Sequence, residues 1–122
     1  MKITAFNPAI LTKNAADAVA LFEELGFTHA HTKNLADKGI TSFDLKYGED
    51  FRVDVAQVDD MPQDITTIRM NVRDFDEAYD LLISKGFKDV NKGKATDTGS
   101  SKGTLMVSPS GFCITLAQHI RK

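Results

Sequence analysis

Arg52, Asp54 and Arg69 are the charges in this sequence best placed to hold a ligand, because they lie on strand-like segments expected to come near each other in the fold. An arginine near a carboxylate has two readings. It is a structural ion pair, or its planar guanidinium is presented to a carboxylate or phosphate of a ligand while Asp54 orients it or meets a cationic group. Cys113, the single cysteine, could act as a nucleophile only where a base or positive field stabilises its thiolate. No histidine adjoins it in sequence, so a structural thiol is the simpler reading. His29 and His31 stand two apart on a strand-like segment, which predicts both rings on one face. Two imidazoles are too few for a zinc site, so exposed polar residues are the plain reading and an acid–base role for His31 the sharper one. His119 leads into a basic tail with Arg121 and Lys122. Residues 93–103, GKATDTGSSKG, miss the spacing of a phosphate-binding Gly-x-x-x-x-Gly-Lys-Ser/Thr loop and precede a strand, so they read as a flexible surface connection able to cover a cavity.

The chain that must position these groups has 122 residues, enough for one domain with one core. Fifteen basic and 17 acidic side chains leave a formal charge of −2, which provides no field for nucleic acid or an anionic membrane. Hydrophobic residues make up 42% and charged residues 26%, a globular mixture. No apolar run reaches the roughly 20 residues that span a bilayer, and the first residues do not resemble a signal peptide. With one cysteine there is no intrachain disulfide, and a cytoplasmic location is expected.

The sequence repeats internally. FRVDVAQ at 51–57 lies over FCITLAQ at 112–118 at an offset of 61, and LFEELGF at 21–27 over LLISKGF at 81–87 at an offset of 60. Two matches in the same order point to two modules, 1–59 and 64–122, within a single domain spanning 1–122. Asp59, Asp60, Met61, Pro62 and Gln63 form the join. Each module reads as strand, helix and three strands. In the first, strands are predicted at 2–7, 27–32, 40–47 and 51–57, with Pro8 disturbing the end of the opening strand. Ala15, Ala18, Phe22 and Leu25 mark one helical face, with Asn14 as N-cap and Gly26 as terminator. In the second, strands are predicted at 65–72, 87–91, 104–108 and 112–118. Asp74 caps a helix through Phe75, Ala78 and Leu82 that Gly86 ends.

Strand alternation then separates two faces. Val53, Val55, Ile68, Met70, Ile114 and Leu116 are predicted to meet the helices. The opposite set includes Arg52, Asp54, Ala56, Thr67, Arg69, Asn71, Cys113, Thr115 and Ala117. A plain solvated face is usually richer in Lys and Glu; this composition suits a surface that encloses a small polar molecule. A solvated or dimer-covered face is the alternative.

Two tandem βαβββ modules with Gly-Phe after each helix resemble the vicinal oxygen chelate superfamily, which includes glyoxalase I, bleomycin- and fosfomycin-resistance proteins and extradiol dioxygenases. NVRDFDEAY at 71–79 resembles the start of that family's second helix, and SPSGFCITL at 108–116 its closing hairpin. The resemblance implies an α+β fold of two modules with pseudo-twofold symmetry, forming curved mixed sheets around a cavity. A homodimer is also implied and, in enzymatic members, a divalent metal. The implied ligand positions fall on the first and last strands of each module. Here they are Asn7 (or Phe6, if Pro8 shifts the register), Asp54, Thr67 and Thr115. One carboxylate is too little for an ion that wants four to six donors, so no metal and no cofactor are expected. The expected function is a metal-independent, glyoxalase-like protein that binds a small organic molecule, as in sequestration or resistance. Its ligand face comprises Phe6, Asn7, Arg52, Asp54, Thr67, Arg69, Asn71, Cys113 and Thr115. The alternatives are a lyase, isomerase, dioxygenase or thiol transferase with a divergent site, and a structural or regulatory dimer.

Overall fold

A computed structural model describes residues 1–35, 40–91, 96–97 and 101–119. The fold is α+β, and its strands pair in both senses, as expected from the sequence. The chain divides into two compact units, residues 7–66 and residues 1–6 together with 67–122.

The first unit takes β1 (Ile3–Thr12) from residue 7 onward, then α1 (Ala15–Glu24), β2 (Thr28–Leu35), β3 (Ile40–Tyr47) and β4 (Phe51–Val58). Its strand order is β2-β3-β4-β1, antiparallel except for the parallel β1–β4 pair. The second unit takes β5 (Ile65–Val72) from residue 67 onward, then α2 (Phe75–Ser84), β6 (Lys88–Asp89), β7 (Thr96–Asp97), β8 (Ser101–Val107) and β9 (Cys113–His119). Here the order is β5-β9-β8-β6, with β7 also on β8, and β5 and β9 are parallel. The start of β1 adjoins β5, and Arg73 N donates to Lys2 O at 3.0 Å.

The registers repeat as the sequence does. Ala9 pairs with Asp54 in the first unit and Arg69 with Thr115 in the second, reproducing the offsets of 60 and 61.

Each helix closes a core on its own unit's strands. Ala15 and Val19 of α1 pack with Leu45, Val53 and Val55, flanked by Ile10, Ala18, Phe22, Phe27 and Phe43. Phe75 and Ala78 of α2 pack with Met70, Val72, Met106 and Leu116, flanked by Tyr79, Leu82, Phe87 and Ile114. Burying one side chain of the Leu45 or Leu116 kind contributes about 1.5–3 kcal/mol. Of the six residues expected to face the helices, Val53, Val55, Met70 and Leu116 are buried, and Ile68 and Ile114 are half-buried.

Both helices stop at a glycine in the left-handed region, Gly26 at φ +108° and Gly86 at φ +93°. Space as well as conformation requires glycine there. An added Cβ would stand 2.9 Å from the Tyr47 ring at Gly26 and 2.9 Å from Pro109 Cγ at Gly86. The helix starts differ from each other. Asp74 caps α2 through its side chain, accepting from Glu77 N at 3.1 Å, whereas the Asn14 side chain makes no cap bond to α1. Instead Thr12 Oγ1 accepts from Asn14 N at 2.9 Å, and a glutamine from the unit's last strand reaches each helix start. Gln57 Oε1 accepts from Ala15 N at 2.9 Å, and Gln118 Oε1 from Phe75 N at 2.8 Å.

Several boundaries differ from those expected. β1 runs to Thr12, through Pro8, where 2–7 was predicted. The described pairing of β1 with β4 begins one residue after Pro8, at Ala9. β8 begins at Ser101, and Thr96 and Asp97 pair with Gly103 and Lys102, so part of the expected surface connection is a short antiparallel ladder. Residues 92–95 and 98–100, on which the rest of that expectation falls, lie outside the described residues, as do 120–122. β6 is only Lys88–Asp89, because the backbone turns at Val90 and Asn91. In the closing hairpin, Ser108 Oγ accepts from Gly111 N and Phe112 N, both at 3.0 Å.

Candidate functional site

The candidate site residues lie mainly on the strand faces opposite the helices, and each unit carries its own set. In the first unit, antiparallel register sets Asp44 opposite Asp54 and Lys46 opposite Arg52, while the parallel pair sets Ala9 beside Asp54. Asp54 is 6% exposed, a degree of shielding that a carboxylate on a solvated sheet face would not show. Asp44 and Asp54 are both engaged in interactions. Arg52, at the start of β4, is exposed. Asn7 lies two residues before Ala9 on β1 and is half-buried.

In the second unit, β5 contributes Thr67, Arg69 and Asn71, and β9 contributes Cys113, Thr115 and Ala117. Thr67 Oγ1 and Thr115 Oγ1 are 2.7 Å apart, within hydrogen-bond distance. Arg69 Nε donates to Asn71 Oδ1 at 3.2 Å, and Arg69 holds a further interaction. Thr67 is 2% exposed and Asn71 8%, although neither belongs to the helix-side core. Cys113 is half-buried, with its thiol 3.9 Å from Gly111 O of its own hairpin. Phe6, grouped with this unit, is 61% exposed.

The structure therefore joins Thr67 to Thr115 and Arg69 to Asn71. Arg52 and Asp54 belong to one unit and Arg69 to the other. Equivalent registers make Asn7 with Asp54 the counterpart of Thr67 with Thr115, since each first-strand residue precedes by two the direct partner of the last-strand residue. These are the four positions at which the family resemblance implies metal ligands. One amide, one carboxylate and two neutral hydroxyls within bonding distance of each other do not fit a divalent ion. Among the described residues, no group of three or more His, Cys, Asp or Glu is arranged to hold a metal.

The paired histidines behave otherwise than strict alternation implied. His29 is in register with Leu45 and His31 with Asp44, so a bulge between them breaks the one-face pattern. The His29 ring stands 3.1 Å from Glu23 Oε2, in an exposed pair near the end of α1.

One polar cluster carried no signal in the sequence. Asp89 Oδ2 accepts from Tyr79 Oη at 2.9 Å, and Asp89 Oδ1 accepts from Thr104 Oγ1 at 2.6 Å and from Asn91 N at 2.8 Å. Asn91 Nδ2 donates to Thr104 Oγ1 at 2.9 Å. The Asp89 hydrogen bond, with burial and the charges of Asp89 and Asp80 adding to it, raises the Tyr79 pKa above the ordinary tyrosine value. This cluster ties α2 to β6 and β8 and lies among groups that fix the scaffold.

No family model matches the sequence, and no curated protein matches it. Solved structures do. A methylmalonyl-CoA epimerase superposes with a TM-score of 0.72 at 15% identity, covering 99% of each chain. A methylmalonyl-CoA epimerase from Mycobacterium tuberculosis gives 0.72 at 18% identity, covering 98% of this chain and 90% of that one. A glyoxalase/bleomycin resistance protein/dioxygenase superfamily member from Vibrio splendidus 12B01 gives 0.59 at 13% identity, covering 93% and 97%. The chain has the fold of these proteins, the vicinal oxygen chelate fold that the repeated sequence resembled.

Proposed function

We propose that this chain, built on the vicinal oxygen chelate fold, is a metal-independent binder of a small organic molecule, of the sequestration or resistance type. The observation that carries the reading is the Thr67–Thr115 hydroxyl pair. It occupies two of the positions where a metal-dependent member would need imidazole or carboxylate donors. The shielding of Thr67, Asn71 and Asp54 supports binding, because polar groups are held out of bulk water on faces that the helices do not cover. An enzymatic reading is less well supported. Among the described residues, the strand face of Thr67, Arg69, Asn71, Cys113, Thr115 and Ala117 has no carboxylate or imidazole to move a proton. The proposal includes a cytoplasmic homodimer. No helix among the described residues is long and apolar enough to cross a membrane.

The test is elemental analysis of protein purified without chelator, together with thermal unfolding against a panel of small organic cations, neutral molecules and carboxylates. Background metal and a saturable rise in melting temperature with one ligand class are expected. Stoichiometric Zn, Ni, Fe, Mn or Co overturns metal independence, and a flat response to the whole panel overturns small-molecule binding. Light scattering decides the dimer.

A further inference from the structure

The repeat gives each unit an exposed apolar end just past its helix, and the two ends differ in charge. In the first unit, Leu21 and Leu25 stand one turn apart where α1 ends. Gly26 brings the chain against the Tyr47 ring, whose centroid lies 6.0 Å from that of Phe51. All four side chains are exposed, Phe51 to 62%. Together they present a few hundred Å² of apolar surface, roughly the extent that marks a contact site. Glu24 adjoins Leu25, and Glu49 and Asp50 lie in the turn between Tyr47 and Phe51; all three acids are exposed. Lys46 offsets only Glu49, at 3.6 Å, and Arg52 falls on the opposite strand face by alternation.

In the second unit Leu81, Pro109 and Phe112 form the corresponding end. Pro109 stands against Gly86 as Tyr47 does against Gly26, and Phe112 packs on Phe87 at 5.7 Å while remaining 54% exposed. The acids have no counterpart here. At the offsets of the repeat, Ser84 stands for Glu24, Ser110 and Gly111 for Glu49 and Asp50, and Lys85 for Leu25. Lys85 is exposed and makes no ion pair among the described residues. Two copies of the first end would repel through their acids, so that end favours a partner surface that is apolar and basic. The second end of another copy is both.

We propose that the apolar end of the first unit docks on the apolar end of the second unit of another copy. Tyr47 and Phe51 meet Pro109 and Phe112, and Lys85 meets the acids around Leu25 and Phe51. The inference rests on the homodimer reading and names the faces it uses.

The test is sedimentation velocity of the full-length protein over a range of concentrations. Self-association is expected, and it should weaken as salt rises from about 0.1 M to about 1 M, which shortens the screening length from about 10 Å to about 3 Å. Phe51→Ser, a change at an exposed position, should weaken it about tenfold or more. Lys85→Glu, and separately Glu24→Lys with Glu49→Lys, should each weaken it by about the same factor, because like charges then face each other. The three charge changes in one chain restore opposite signs and should recover the association. A dimer that neither Phe51→Ser nor Lys85→Glu weakens overturns these faces and leaves the homodimer reading standing. Failure of the triple charge variant to recover overturns the pairing of unlike ends, and a monomer at every concentration overturns both this inference and the homodimer.

Discussion

Replacing Gln57 should cost this protein more stability than replacing Gln118, although the two residues are equivalent in the repeat. Both glutamines cap a helix through Oε1, Gln57 at Ala15 N and Gln118 at Phe75 N. Gln57 also donates through Nε2, to Lys13 O at 2.6 Å and to Asp59 Oδ1 at 2.7 Å. The helices differ as well, since α2 retains the Asp74 side-chain cap and α1 has none from Asn14. A helix cap is worth about 0.5–2 kcal/mol and an ordinary hydrogen bond about 0.5–1.5 kcal/mol. Gln118→Ala should therefore cost about 1 kcal/mol, and Gln57→Ala about 2 kcal/mol, with water replacing part of its exposed bonds. Glutamate variants sharpen the comparison. Gln118→Glu keeps the acceptor and adds negative charge at a helix N-terminus, so it should be close to neutral. Gln57→Glu exchanges a donor for an acceptor facing the Lys13 carbonyl and the Asp59 carboxylate, and should destabilise. Urea unfolding followed by circular dichroism measures all four midpoints, with the slopes checked for constancy. Equal costs for the two alanine variants, or a Gln57→Glu variant as stable as Gln118→Glu, would refute the reasoning.

Gly26→Ala and Gly86→Ala should each lose more than about 1 kcal/mol, because a left-handed backbone and a crowded Cβ act together; a loss well below that in thermal unfolding would show that the hairpin yields. The raised pKa of Tyr79 means that its contribution to stability is complete below the unfolded tyrosine pKa, near 10, and disappears as pH rises through the higher folded value. Tyr79→Phe should thus lower stability at neutral pH and flatten its decline in alkali, and an unchanged alkaline slope would remove Tyr79 from that linkage. Arg69→Ala should weaken binding of whichever small molecule the thermal-unfolding panel identifies, because the variant removes the guanidinium that Asn71 holds on this strand face; unchanged affinity would exclude Arg69 from the site.

The repeated segments made the architecture legible because they recur in the same order at nearly constant offset, and the parallel registers preserve those offsets. The core was legible where strands alternate cleanly, as at Val53, Val55, Met70 and Leu116. Pro8 misled, because a proline ends a strand only where its missing N–H is needed. The histidine pair misled because a bulge changes the period locally. The glutamines were visible as identities, but one conformationally free side chain reaching some 40 residues back along the chain has no sequence pattern. For the same reason the Tyr79–Asp89–Thr104 cluster, spread over α2, β6 and β8, left no trace in spacing. Of the candidate site, composition identified the polar face, and only three-dimensional placement could reveal that two of its threonines bond to each other.

Residues 1–6 group with residues 67–122, and residues 61–66, their equivalents at the offset of 60, group with residues 7–60, so the opening segment of each module belongs to the other unit. A cut after Thr66 would not release two finished modules. The first fragment would carry a strand segment that groups with the other unit, and the second would lose β1 beside β5 while keeping β9. Each module is thus a poor independent folder, and one continuous strand couples the fate of both. Sequence change in the first six residues, far from the second helix in the chain, should register as instability of the second unit.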